Sequence, residues 1–192
     1  MRVGDPSTHW LGVAQGLLHM YLLNDEGRES TLACIAQSEW CGEGSLIKGE
    51  RRRYNAIALQ PSIIALVPIA TFNALREQSI GFNHFIQTIM NERMSGFIEL
   101  LTAHRFLSVE QRVAQCIAML GRKQLAADGL IALGQQQIAL ICGLSRQRVN
   151  GALAVLEKRG LVRTTLKGLC ILSLDGLQGY GTDHGLAAPS KA

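Results

Sequence analysis

The spacing of apolar residues changes twice along this chain. From residue 9 to about residue 72 they form short runs broken by Gly, Pro and Asp. The stretch "LGVAQGLLHMYLLNDEGRESTLACI" reads as two β-type runs joined by Asp25-Glu26-Gly27, and "YNAIAL" and "SIIALVPI" follow, separated by Gln60-Pro61. Short strands at this spacing predict a small antiparallel sandwich or roll. Between Ile80 and His104 the period becomes helical: Ile86, Met90, Met94, Phe97 and Leu101 recur at steps of four, four, three and four, with Phe82, Phe85 and Ile89 widening the stripe. A helix this apolar, placed between two domains, predicts self-association through Ile86, Ile89, Met90, Met94, Phe97 and Leu101.

A third pattern starts at "LSVEQRVAQCIAML", where Ser108 and Gln111 have the spacing of a capping box. The loop "GRKQLAADGLIAL" leads into a helix over about Gln135 to Ile141, a tight turn at Gly143, and a second helix capped by Ser145. Two short strands around Lys167-Gly168 complete the unit, and from Gly176 the tail has no periodicity and is expected to fray. At 100° per residue, Val149, Ala152, Leu153 and Leu156 share the buried face of the second helix. Gln147, Asn150, Gly151 and Ala154 lie opposite, flanked by Arg146 and Arg148.

An ordinary solvent face would be rich in Lys and Glu. This one groups hydrogen-bonding side chains at the helix start and leaves almost no bulk behind them. That suits a recognition helix in a major groove, where Arg pairs bidentately with guanine and Gln or Asn with adenine. Gly151 and Ala154 allow close approach, Ser145 can reach a phosphate at the helix N-terminus, and Gln136 and Lys167 are candidate backbone contacts. Net charge strengthens this picture through its location: of the +4 on 192 residues, all is carried by Gly134 to Asp175, where six basic residues face two acidic ones. The five cysteines, with no C-x-x-C pair, read as reduced core thiols. No apolar run is long enough to span a bilayer and the start has no signal-type segment, so a cytoplasmic protein is expected, with no membrane partner.

These residues resemble the cyclic-AMP receptor protein / fumarate-nitrate regulator (Crp/Fnr) family of bacterial transcription factors. "GLSRQRVNGALAVLEKRGLV" is similar to its recognition helix, "WCGEGSLI…RRRYNAIAL" to its phosphate-binding cassette, and "GDPSTHWLGVAQGLLHMY" to its early β-roll strands. The resemblance implies an α+β chain: a cyclic-nucleotide-binding-like β-roll (jelly roll), a long dimerisation helix and a C-terminal winged helix-turn-helix. The expected divisions are 1–79 for an effector domain, 80–106 for the helix, 107–176 for the DNA-binding domain and 177–192 for a flexible tail. The family has a helix and a first strand before the counterpart of "GDPSTHW", so the chain reads as N-terminally short. Either its start is misassigned or truncated, and a missing strand would leave a sheet edge exposed, or the roll is completed differently.

Carried over residue by residue, the effector pocket comprises Gly42, Glu43, Ser45, Arg53 and Tyr54, with Glu43 at the ribose position and Arg53 at the phosphate position. Tyr54-Asn55 replaces the small pair that follows the arginine, and Phe97-Ile98 replaces the polar pair that meets adenine, so cyclic AMP is not the expected effector. A structural ion pair between Glu43 and Arg53, with Arg51 and Arg52 solvated, is the simpler expectation. No cofactor or metal is expected: no cysteine-rich iron–sulfur segment stands at the N-terminus, and His9, His19 and Cys34 read as structural. On the recognition helix the family's Arg-Glu-x-x-x-Arg reads Arg146-Gln147-Arg148-Val149-Asn150-Gly151, which implies a different half-site.

The expectation is therefore a homodimeric regulator, not an enzyme, that binds double-stranded DNA at a pseudo-palindromic site, with RNA polymerase as a further partner. Two alternatives stay open: a cyclic-nucleotide-like sensor acting through protein partners, and a cupin-like metal-dependent enzyme.

Overall fold

The computed structural model describes residues 1–124 and 129–181. The chain divides into two compact units with the boundary between Thr102 and Ala103.

In the first unit, β1 (His9–Gln15), β2 (Leu17–Leu23), β3 (Glu29–Ala36), β4 (Trp40–Cys41), β5 (Asn55–Ala58) and β6 (Ile63–Pro68) form two antiparallel three-stranded sheets, ordered β4-β1-β6 and β3-β2-β5. The stretch expected as two β-runs is three strands. β1 belongs to one sheet and β2 to the other, with only Gly16, at φ 101°, between them. The Asn24–Arg28 turn joins β2 to β3, closed by Asn24, whose Oδ1 accepts from the Glu26 and Arg28 amides. β6 ends its sheet with Ile63 and Leu66 exposed, while the first residues lie along β5, where the Ala56 amide donates to the Met1 carbonyl at 3.0 Å.

Between the sheets lie Val13, Leu18, Met20, Ile35, Cys41 and Ala56. A second cluster joins Trp10, Leu46, Phe72 and Ile86. Here Trp10 and Trp40 stack with ring centroids 4.0 Å apart, which Gly12 makes possible: a Cβ on it would stand 2.7 Å from the Trp40 ring.

Three helices complete this part of the chain: α1 (Glu43–Lys48), α2 (Ile69–Gln78) and α3 (Ile80–Phe106). Neither α1 nor α2 is expected from the pattern. "SIIALVPIATF" is one apolar run, and the switch from strand to helix falls inside it at Pro68, whose fixed φ suits the residue before a helix. α2 then buries Phe72 against Trp10, at 5.4 Å between centroids.

The second unit contains α4 (Val109–Gln124), β7 (Leu130–Ile131), α5 (Gln135–Cys142), α6 (Arg146–Lys158), β8 (Val162–Thr165), β9 (Gly168–Ile171) and α7 (Leu174–Gln178). The capping box forms: the Ser108 amide donates to Gln111 Oε1 at 2.8 Å and the Gln111 amide to Ser108 Oγ at 3.3 Å. α4 runs four residues beyond the expected "AML" end at Leu120, and part of the expected loop after it, residues 125–128, lies outside the described residues. Gly143 closes α5 in the left-handed region at φ 61°. β7 adds a third strand to the expected hairpin, in the order β7-β9-β8.

The unit does not end at residue 176. α7 buries Leu177, the Gln111 side chain donates to the Gly181 carbonyl at 3.1 Å, and the Arg159 guanidinium sits 5.0 Å over the Tyr180 ring. The rest of the expected tail, residues 182–192, lies outside the described residues.

Gly168 sits at φ 143°, and a Cβ there would stand 2.2 Å from the Ile131 carbonyl oxygen. Gly168→Ala is expected to cost about 1–3 kcal/mol through that clash and the strained backbone. Urea unfolding, with amide-exchange protection read at Thr165 and Gly168, measures it.

Candidate nucleic-acid interface and effector cassette

The helix start singled out by its polarity is exposed. Ser145 precedes α6 with extended backbone, and its Oγ accepts from the Arg148 amide at 3.4 Å. That leaves Arg146, Gln147 and Arg148 projecting from the first turn, all exposed. Val149, Ala152, Leu153 and Leu156 are buried as the 100° spacing requires. Gly151 and Ala154 are exposed, and a Cβ on Gly151 would meet no atom within 4 Å. Asn150 differs from its expected place. It is half-buried at the margin of this face, and its Oδ1 is enclosed without a hydrogen-bond partner. Gln136 on α5 and Lys167 at the hairpin turn are exposed.

One residue that orders this interface is absent from the sequence reading. Arg112 on α4 donates to the Cys142 carbonyl at the end of α5 (3.2 Å), and its guanidinium lies 3.3 Å from His104 Nε2. It thereby places a cation at the negative end of α5, directly before the turn into α6. In the sequence Arg112 looks like any basic residue on an amphipathic helix, and only its half-buried position in the structure singles it out.

Burial, and after it the positive charge of Arg112, lowers the His104 pKa below its ordinary 6.5. The unfolded chain takes up that proton first as pH falls. The contribution of neutral His104 is therefore complete above 6.5 and disappears as pH drops through the lowered folded value. Melting of the second unit is expected to weaken on acidification from neutral. His104→Gln should remove that part of the slope, as thermal melts of both proteins across pH will show.

The cassette departs from expectation at its arginines. Glu43, at the start of α1, is only 3% exposed and pairs with Arg93 of α3, not with Arg53. Arg93 also donates to the Trp40 carbonyl at 2.6 Å. Arg53 points outward, its side chain 71% exposed and 3.6 Å from Glu50. Its neighbour Arg52, expected in solvent, is the buried one: it donates to the Gly42 carbonyl at 2.8 Å and to the His9 carbonyl. Gly42 belongs to this contact through its own geometry, since a Cβ there would lie 2.4 Å from Arg52 Nη1.

Ser45 is buried in α1, while Tyr54 is half-buried beside the cluster around Val13 and Cys41. Burial pushes the Tyr54 hydroxyl well above its ordinary value and the Cys41 thiol up to about 11, so both stay protonated at neutral pH. The second carboxylate oxygen of Glu43, Oε2, is buried without a hydrogen-bond partner.

On α3 the apolar stripe divides. Ile86 is 3% exposed and belongs to the Trp10–Phe72 cluster, with Phe82 and Ile89 packed against it, so Ile86 is not available to a second chain. Further along, Met90, Met94, Ile98 and Leu101 are exposed and Phe97 is half-buried. The first turns of α3 pack against Trp10 of the β4-β1-β6 sheet and Phe72 of α2, which a uniform stripe in the sequence could not reveal. Among the described residues, no group of three or more His, Cys, Asp or Glu side chains is placed to hold a metal ion.

Comparison with known proteins agrees with both halves of this description. A model of the cyclic nucleotide-binding domain matches residues 1–79, and a model of the Crp-like helix-turn-helix domain matches residues 111–180. The cyclic AMP receptor protein of Thermus thermophilus is 26% identical over 151 residues, covering 79% of this chain and 69% of that protein. The cAMP-activated global transcriptional regulator CRP of Haemophilus influenzae is 23% identical over 176 residues, covering 89% and 79%. Among solved structures, FixK2 from Bradyrhizobium japonicum superposes with a TM-score of 0.81 at 18% identity, over 93% of this chain and 89% of that one. A CRP-family transcriptional regulator from Thermus thermophilus does so at 0.75 and 20% identity, over 92% and 89%.

Fold and interface together define a transcription regulator that joins a cyclic nucleotide-binding fold to a DNA-binding winged helix. The chain belongs to the Crp/Fnr family.

Proposed function

We propose that this regulator works as a homodimer that reads a pseudo-palindromic site with two copies of α6, about one helical turn apart. The observation that carries the reading is the first turn of α6. Arg146, Gln147 and Arg148 project from a capped helix start, and the exposed Gly151 and Ala154 add no bulk behind them. Arg146 and Gln147 contact bases, Asn150 borders them, and Ser145, Arg148, Gln136 and Lys167 contact the backbone. Dimerisation uses Met90, Met94, Phe97 and Leu101, with Ile98 beside them and Ile89 at the margin. The division of labour is sensor for residues 1–79, dimer helix for 80–106, and DNA module from 107 through α7.

The effector is a small molecule other than cyclic AMP. Arg52 is already committed to two backbone carbonyls, Arg53 faces solvent, and Phe97 and Ile98 offer an adenine ring no side-chain hydrogen bonds. The buried open oxygen of Glu43 is suited to accept from a donor on that molecule. The effector biases the pose of the DNA modules through α3, and RNA polymerase in the cytoplasm reads the result. No helix among the described residues is long and apolar enough to cross a membrane.

Selection from random duplexes by gel shift at moderate salt, with size measurement of the free protein, tests this. Enrichment of a two-fold symmetric sequence by a dimer is expected. An unselective protein, or one that binds as a monomer, would sink the reading.

A further inference from the structure

The hairpin between β8 and β9 carries more than the lysine at its turn. Its apex residue, Leu166, is fully exposed, and among the described large apolar side chains none is more so. It is displayed on a stiff arm. The Thr165 hydroxyl donates to the Gly168 carbonyl at 2.9 Å and accepts from the Lys167 amide at 3.3 Å, and Gly168 is wedged against the Ile131 carbonyl. The arm is in turn fixed to the reading helix: the Thr164 amide donates to Glu157 Oε1 of α6 at 3.0 Å, and the Leu161 amide donates to the Leu156 carbonyl at 3.0 Å. Arg163 and Lys167, both exposed, flank the apex with positive charge.

A hairpin that touched only phosphates would be best served by cations throughout, because backbone affinity comes from charge neutralisation. A leucine adds nothing there. Its gain comes from being buried, and duplex DNA offers apolar surface to a narrow protrusion at the sugar walls and base steps of the minor groove, where leucine can act as a wedge. The exposed Arg163 and Lys167 supply positive charge near the apex, which favours approach to the phosphates that border that groove.

We propose that Leu166 enters the minor groove flanking each half-site and makes binding depend on how easily that flank deforms. The inference rests on the DNA-binding reading above. It adds a specificity-determining residue outside the recognition helix, one that reads deformability and not hydrogen-bonding edges. Flexible pyrimidine–purine steps are the favoured flank.

The experiment uses the full chain and the duplex selected by wild type, with its half-sites kept and its flanks randomised. Leu166→Ala should bind the best flanks about tenfold more weakly and rigid flanks almost unchanged, with the half-site preference intact. Leu166→Lys should tighten binding evenly through one more phosphate contact without restoring flank preference. Because the side chain is fully exposed, both variants should melt like wild type, so lost folding does not imitate the effect.

Flank preference that survives Leu166→Ala overturns the inference and leaves the DNA-binding reading standing. So does a variant that changes transcription without changing DNA affinity, which would assign the apex to a protein partner. A wild type that selects no sequence brings both down together.

Discussion

Arg93→Ala is expected to destabilise the first unit by about 3–5 kcal/mol, because it leaves the carboxylate of Glu43 buried and uncompensated. Glu43 is 3% exposed and, among the described residues, Arg93 is its one charged partner within ion-pair distance, so water cannot easily replace the guanidinium. The same change removes the donor to the Trp40 carbonyl and with it a tie between α3 and the start of the cassette. Much of the loss should be penalty, not lost attraction. Adding Glu43→Gln to the Arg93→Ala protein removes the stranded charge and should recover part of the stability, a non-additivity expected of residues in direct contact. Urea unfolding of the two single variants and the double variant, followed by circular dichroism, measures this. If the double variant falls by the sum of the two singles, the buried-charge account is wrong.

The second large effect concerns DNA. Arg146→Ala should lower affinity for the selected site by about 1–3 kcal/mol, roughly 5- to 150-fold, and flatten preference at the position it reads. Gln147→Ala should do the same at its neighbour. Both side chains are exposed and stand clear of the buried face, so the loss is of contacts and not of the fold. Lys167→Ala should instead weaken binding evenly on all sequences and reduce the salt slope by about one. Fluorescence-anisotropy titrations on the selected site and on single-base variants separate the two patterns. An even loss from Arg146→Ala would reassign that residue to the backbone.

The sequence was most informative where structure repeats. Val149, Ala152, Leu153 and Leu156 declare the buried face of α6 by angle alone, and the Ser145 cap fixes where the helix begins. The stripe of α3 is legible for the same reason, but which part of it packs at home is not: Ile86 and Met90 follow one rule of spacing, yet only Ile86 lies over the Trp10 cluster. The cassette is the hardest case. Arg51, Arg52 and Arg53 are adjacent in a loop without periodicity, and their orientations depend on a backbone path that no local pattern encodes. The partner of Glu43 lies fifty residues away, on an element that looks like a dimer helix. Long-range ion pairs leave no trace in spacing, so the family positions carried over to Glu43 and Arg53 suggested a pair, while Arg93 is the partner that forms.

The stacked pair Trp10 and Trp40 also has a practical consequence. These are the only two tryptophans in the chain, and both belong to the unit that ends at Thr102. Indole fluorescence is therefore a private reporter of the unit with the cyclic nucleotide-binding fold, blind to melting of the DNA-binding half. A spectral change on adding duplex DNA would then be a direct optical record of communication from one half to the other. The same signal, followed while candidate small molecules are added, would report any that bind this unit without knowledge of a single target gene.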